Sequence, residues 1–165
     1  MSEETVEFRG QSIGDVNAHA VHMSQSTARE LEADRVELHQ SAVQLIDADS
    51  IELRQSAAQM IDADTLRMQQ SLTLGARTET LQAEQSVLGM VRTHEATLAD
   101  SSVLALAGDH IQAANVNTVF LIGRNIEGDI KTMMDTRGAL MFGLAAGGVL
   151  GFFSLISALA RRFRR

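Results

Sequence analysis

The sequence predicts an all-β chain: a three-sided β-solenoid of about eight fifteen-residue coils, followed by a single C-terminal transmembrane α-helix. Three observations carry that prediction. VELHQSAVQLIDADS (36–50) is followed at once by the near copy IELRQSAAQMIDADT (51–65). Numbering positions in fifteens from Val36, the 24 charged residues between 6 and 125 all avoid phases 1, 3, 6, 8, 11 and 13. From Gly138 to Ala160 the chain then runs 23 residues without a charge, GALMFGLAAGGVLGFFSLISALA.

Residues 1–5 form an N-terminal lead, and the repeat domain spans 6–130. Val6, Val21, Val36, Ile51, Leu66, Leu81, Ala96, Ile111 and Ile126 share one phase. Each fifteen divides into three fives, and each five carries an inward doublet such as Val36/Leu38, Ser41/Val43 or Ile46/Ala48. Alternation within a five is the period of a strand, whose side chains point to opposite faces. The helix formers Ala, Glu, Gln, Leu and Met argue locally for a long helix or coiled coil. At 100° per residue, however, the six charge-free phases spread right around a helix and leave no stripe to bury. Strands stacked at about 4.8 Å make eight coils a rod of about 38 Å.

Within this fold the recurrent Gln-Ser has a structural role. Gln25, Gln40, Gln55, Gln70 and Gln85 form a corner column of stacked amides beside small inward serines whose hydroxyls bond nearby backbone. No serine sits in a Gly-x-Ser-x-Gly elbow, so a nucleophile column is not expected. Phases 12 and 14 face outward and gather Glu32/Asp34, Asp47/Asp49 and Asp62/Asp64 into a grid of carboxylates. It reads as a solvated acidic face; Asp47, Asp49, Asp62 and Asp64 are the weak candidates for an all-oxygen cation site. His19, His22, His39, His94 and His110 share no zinc-site spacing.

A charge first reaches an inward phase at Lys131, so the repeat ends near 125–130, with 131–137 a linker. As a helix, 138–160 is about 34 Å long, enough for the hydrocarbon core of a bilayer. Gly143, Gly147 and Gly151 recur every four residues along it, a stripe that lets two membrane helices approach closely. The basic tail 161–165 places Arg161, Arg162, Arg164 and Arg165 at lipid headgroups. Residues 1–137 hold all 21 acids and ten bases, so the body is strongly acidic and the tail basic. Four arginines favour a cytoplasmic C-terminus and an external rod. Residues 1–25 nevertheless lack the apolar core of an export signal, which leans the single-pass reading toward a rod on the cytoplasmic side.

The inward doublets Val36/Leu38 and Ile46/Ala48 resemble those of short-period β-solenoid proteins. At the level of architecture the array resembles the bactofilin-type polymer-forming proteins, which are membrane-associated β-solenoids. No functional residue is carried over from that likeness.

The function read from these features is a non-enzymatic, membrane-anchored structural or scaffold protein that needs no cofactor. Its partners are the membrane and further copies of itself, with end-to-end stacking into a filament as an extension. Near the anchor, Leu72, Leu74, Val87, Met90, Val119 and Phe120 occupy outward or corner phases and form the expected oligomer interface, together with the glycine stripe. The alternative is a module presenting its acidic face to cations or a basic partner. With no Trp, Tyr or Cys, the chain lacks stacking platforms for nucleic acid and has no thiol chemistry. No small-molecule substrate is expected, because no break in the repeat gathers convergent polar groups. No flat outward threonine array suggests ice binding.

Overall fold

The computed structural model describes residues 5–134. They form one nine-stranded, wholly parallel sheet wound as a β-solenoid of about seven turns. The strands are β1 (Thr5–Arg9), β2 (Ser12–Ser24), β3 (Thr27–His39), β4 (Ala42–Arg54), β5 (Ala57–Gln69), β6 (Leu72–Glu84), β7 (Val87–Arg92), β8 (Glu95–Ala99) and β9 (Ser102–Met134). There is no helix among the described residues. The helix expected at 138–160, with Gly143, Gly147 and Gly151, and the tail Arg161, Arg162, Arg164 and Arg165 lie outside them. No helix of the described residues is long and apolar enough to cross a membrane.

Every strand pairs in parallel with the strand fifteen residues further on, from Thr5↔Ala20 to Ala99↔Ala114. Between β4 and β5 the paired residues are 42–43, 45–48 and 50–54 on β4, so the ladder lapses after Val43, after Ala48 and at Gln55. The lapses fall where two adjacent residues both face away from the core: Gln44/Leu45, Asp49/Ser50 and Arg54/Gln55. Ser41, Val43, Ile46, Ala48, Ile51 and Leu53 point in and are buried. Those are the six charge-free phases. The core is therefore a single column, with Leu31, Ile46 and Ile61 stacked on one line and Val36, Ile51, Leu66 and Leu81 on another, all 0–1% exposed. Burying each such side chain stabilises the coil by about 1.5–3 kcal/mol, which outweighs the few tenths by which helix propensity favours the alternative.

One corner of each coil is sharper than the rest. There Gln25, Gln40, Gln55, Gln70 and Gln85, then Asp100 and Asn115, adopt left-handed backbone with φ of 47–54°. That region costs a side chain with a Cβ about 1–2 kcal/mol. Two ladders hold it. The Nε2 of Gln25, Gln40, Gln55 and Gln70 each donates to the Oε1 of the glutamine in the next coil at 3.1–3.2 Å. Just inside, the Ser41 hydroxyl donates to the His39 carbonyl at 2.8 Å and accepts the Ser26 N–H at 3.3 Å. Ser56, Ser71, Ser86 and Ser101 repeat the arrangement.

Two features depart from strict repetition. Where Ala33, Ala48 and Ala63 point inward, the next coils place Thr78 and Thr93. The Thr93 hydroxyl lies 2.8 Å from the Glu95 carbonyl and 3.0 Å from that of Glu79, and the strand breaks between Arg92 and Glu95. The Thr78 hydroxyl is buried without a partner. Secondly, the paired turns number about seven rather than the expected eight. The last buried core residue among the described residues is Thr118, and beyond it Leu121 is only partly buried and Ile126 is exposed; their positions one coil further on lie outside the described residues. Strand β9 itself continues to Met134, with Lys131 exposed on it.

Candidate functional site

A solenoid offers chemistry only on its outward columns, each of which repeats one phase along the rod. Two columns stand out. The first combines phases 7, 9 and 10. From Ala42 to Phe120, over six coils, it carries no charged residue. Leu72 and Val87 lie in the middle of this side. Leu45, Met60, Leu74, Met90, Leu104 and Phe120 sit at the bend that ends it. Met90 is 68% exposed, Leu74 58% and Val87 51%, values that place large apolar side chains in water. Val119 is half-buried beside them.

The six predicted apolar residues therefore fall on one stripe. Sequence reasoning missed Leu45, Met60 and Leu104, although each shares a phase with a residue it named: Leu45 and Met60 with Met90, and Leu104 with Leu74. The stripe is kept low where glycines replace side chains. At Gly89 an added Cβ would lie 2.2 Å from the Leu74 carbonyl oxygen, so only glycine fits, and at Gly75 the place of a Cβ is taken by the Met60 sulfur at 3.0 Å. Further along, an open groove of about 510 Å³ runs between Val87, Leu104 and Val119, with Lys131 as its one charged neighbour among the described residues.

The second set of columns, phases 12 and 14, carries the carboxylate grid. Asp47 pairs in register with Asp62, and Asp62 with Arg77. Toward the N-terminus the grid is partnered: Asn17 Nδ2 donates to Glu32 at 2.9 Å, and the His19 ring meets Asp34. Asp47, Asp49, Asp62 and Asp64 are in no ion pair among the described residues, nor are Arg77 and Arg92, the next two residues of the phase-12 column. These columns flank a shallow groove of about 690 Å³ that collects Asp62, Arg77, Glu79, Arg92, His94 and Arg124 around the strand break at Thr93. Arg124 contacts Asp109 at 3.5 Å. Acidic and basic side chains both line this groove, and Arg124–Asp109 is the one ion pair in it among the described residues. No group of three or more His, Asp or Glu among the described residues is placed to hold a metal ion.

The histidines are distributed rather than gathered. His22 meets Glu37 at 3.0 Å and Asn125 meets His110 at 3.3 Å, each pair spanning adjacent coils at the surface.

The chain matches no family model, no curated protein and no solved structure.

Proposed function

We propose that this chain is a non-enzymatic scaffold: a rigid, three-sided rod of fifteen-residue coils, tethered to a membrane by residues 138–160 and self-associating along its apolar stripe. The observation that carries the reading is the stripe itself. Three columns that stay free of charge over six coils, lined by exposed Leu, Met, Val and Phe, form an apolar surface of the kind that marks an interface. The 23-residue uncharged segment and the arginines behind it support the tether, and the glycine stripe within it supports packing of the anchors. The rod stands on the cytoplasmic side in this reading, and end-to-end stacking extends it toward a filament.

The test is a Leu74→Glu plus Phe120→Glu variant compared with wild type by cross-linking in detergent and in native membranes. Loss of oligomer in the variant supports the scaffold. A wild type that stays monomeric at high concentration, or a variant that assembles equally well, removes it.

The unpartnered carboxylates Asp47, Asp49, Asp62 and Asp64 favour a second reading, a module whose acidic face takes a cation or a basic partner. A melting temperature that rises with added calcium, and no longer does so in Asp47→Asn plus Asp62→Asn, would support it.

A further inference from the structure

We infer that the partner on the apolar stripe is a second copy of this chain, running parallel and coil against coil about a two-fold axis along the rod. The inference rests on the self-association reading above and adds to it the identity and direction of the partner. It follows from laying two linear patterns over each other, one apolar and one charged.

The apolar pattern is lopsided. It begins at Leu45 and is densest from Leu72 to Phe120. The charged pattern beside it changes sign partway: Glu32, Asp47 and Asp62 are followed in the same column by Arg77 and Arg92. On the other border of the stripe, phase 4 runs the opposite way, with His39 and Arg54 followed by Gln69 and Glu84. Arg54 is held by its own Glu52 at 2.6 Å, but that pair is partly exposed and so easily shared.

Three pairings of two copies can be compared. An antiparallel pair centred on the stripe, near residue 82, brings Arg77 of one copy level with Arg92 of the other on the same border, a like-charge opposition. Moving the centre of an antiparallel pair to the sign change between Asp62 and Arg77 relieves the charges. It then leaves Leu104, Val119 and Phe120 in water. A parallel pair covers the whole stripe, each coil against its equivalent. Its two-fold axis sets the phase-12 border of each copy beside the phase-4 border of the other. The acidic coils then lie near His39 and Arg54, and Arg77 and Arg92 near Glu84. Only this arrangement satisfies both patterns, and such a two-fold pair is closed, with each border used once. Both chains also leave the pair at the same end, as a shared anchor requires.

The chain has no cysteine, so single cysteines report direction without background. Ala57→Cys and Ser102→Cys each sit on phase 7 of the stripe and three coils apart, a separation of about 14 Å, and the antiparallel pair centred on the stripe would bring them level. The full-length variants, carrying tags of different mass, are oxidised in detergent singly and as a mixture, with sedimentation measured on the reduced samples. The inference expects disulfide dimers from each variant alone and little product joining positions 57 and 102 in the mixture. Mixed product with weak self-linking overturns the parallel direction while leaving self-association intact. A sedimenting dimer that no stripe cysteine links overturns the choice of face. A monomer in every reduced sample overturns the self-association reading together with this one.

Discussion

At the scale of single residues, the fold separates neighbours that a composition count treats alike. Ile61 is fully buried and Asp62 beside it faces water. Ile61→Asp buries an unpaired carboxylate and is expected to lower stability by about 3–5 kcal/mol in urea unfolding. Asp62→Asn is expected to change it by less than about 0.5 kcal/mol, because relief of the repulsion from Asp47 on one side offsets the loss of the attraction to Arg77 on the other. The orphaned hydroxyl of Thr78 sits where four other coils have alanine. Thr78→Ala is therefore expected to raise stability by about 1 kcal/mol, seen as an upward shift of the denaturation midpoint. At the tight corner, Gln55→Ala keeps the left-handed strain and loses the ladder, whereas Gln55→Gly loses the ladder and the strain together. The glycine variant should be the more stable of the two by about 1 kcal/mol.

At the scale of elements, the strands were legible because a solenoid places each inward phase in the same environment turn after turn, so a weak alternation becomes a strong pattern by repetition. The burial of Val43, Ile46, Ala48, Ile51 and Leu53 follows the charge-free phases without exception. Local propensity pointed the other way, and it lost because Ala, Gln and Leu have side chains that fit a parallel ladder once the core is available. Circular dichroism of residues 1–130 is accordingly expected to show mainly sheet; a helical spectrum would contradict the fold. The break at Thr93–His94 was not legible. Its cause is an inward hydroxyl drawn to the Glu79 and Glu95 carbonyls, a contact between coils that no single-coil pattern displays. Which of the three bends is sharpest was hinted at by the Gln-Ser repeat, but the left-handed backbone there was not, since glutamine is not a usual residue for it. Of the surface, the apolar stripe was partly readable, because phases 7, 9 and 10 are where charge disappears after Arg29 and Glu30. What the stripe is for was less readable, because outward columns are free of the packing that disciplines the inward ones.

For the molecule as a whole, stability is a sum over coils and the faces between them, so an element can be removed whole but not in part. Deleting residues 51–65 joins Ser50 to Leu66 and keeps every later residue at its phase. That variant is expected to retain the sheet spectrum and to unfold cooperatively. Deleting 51–64, one residue fewer, shifts every following residue by one phase, so that charged side chains such as Arg67 and Arg77 no longer face out; it is expected to lose the fold, as judged by loss of cooperative melting. The constant fifteen-residue register thus turns length into a countable quantity. A rod built this way grows or shrinks only in steps of one strand spacing, about 4.8 Å. Copies of a whole unit, such as the near-identical pair at 36–50 and 51–65, set its reach as notches set a ruler.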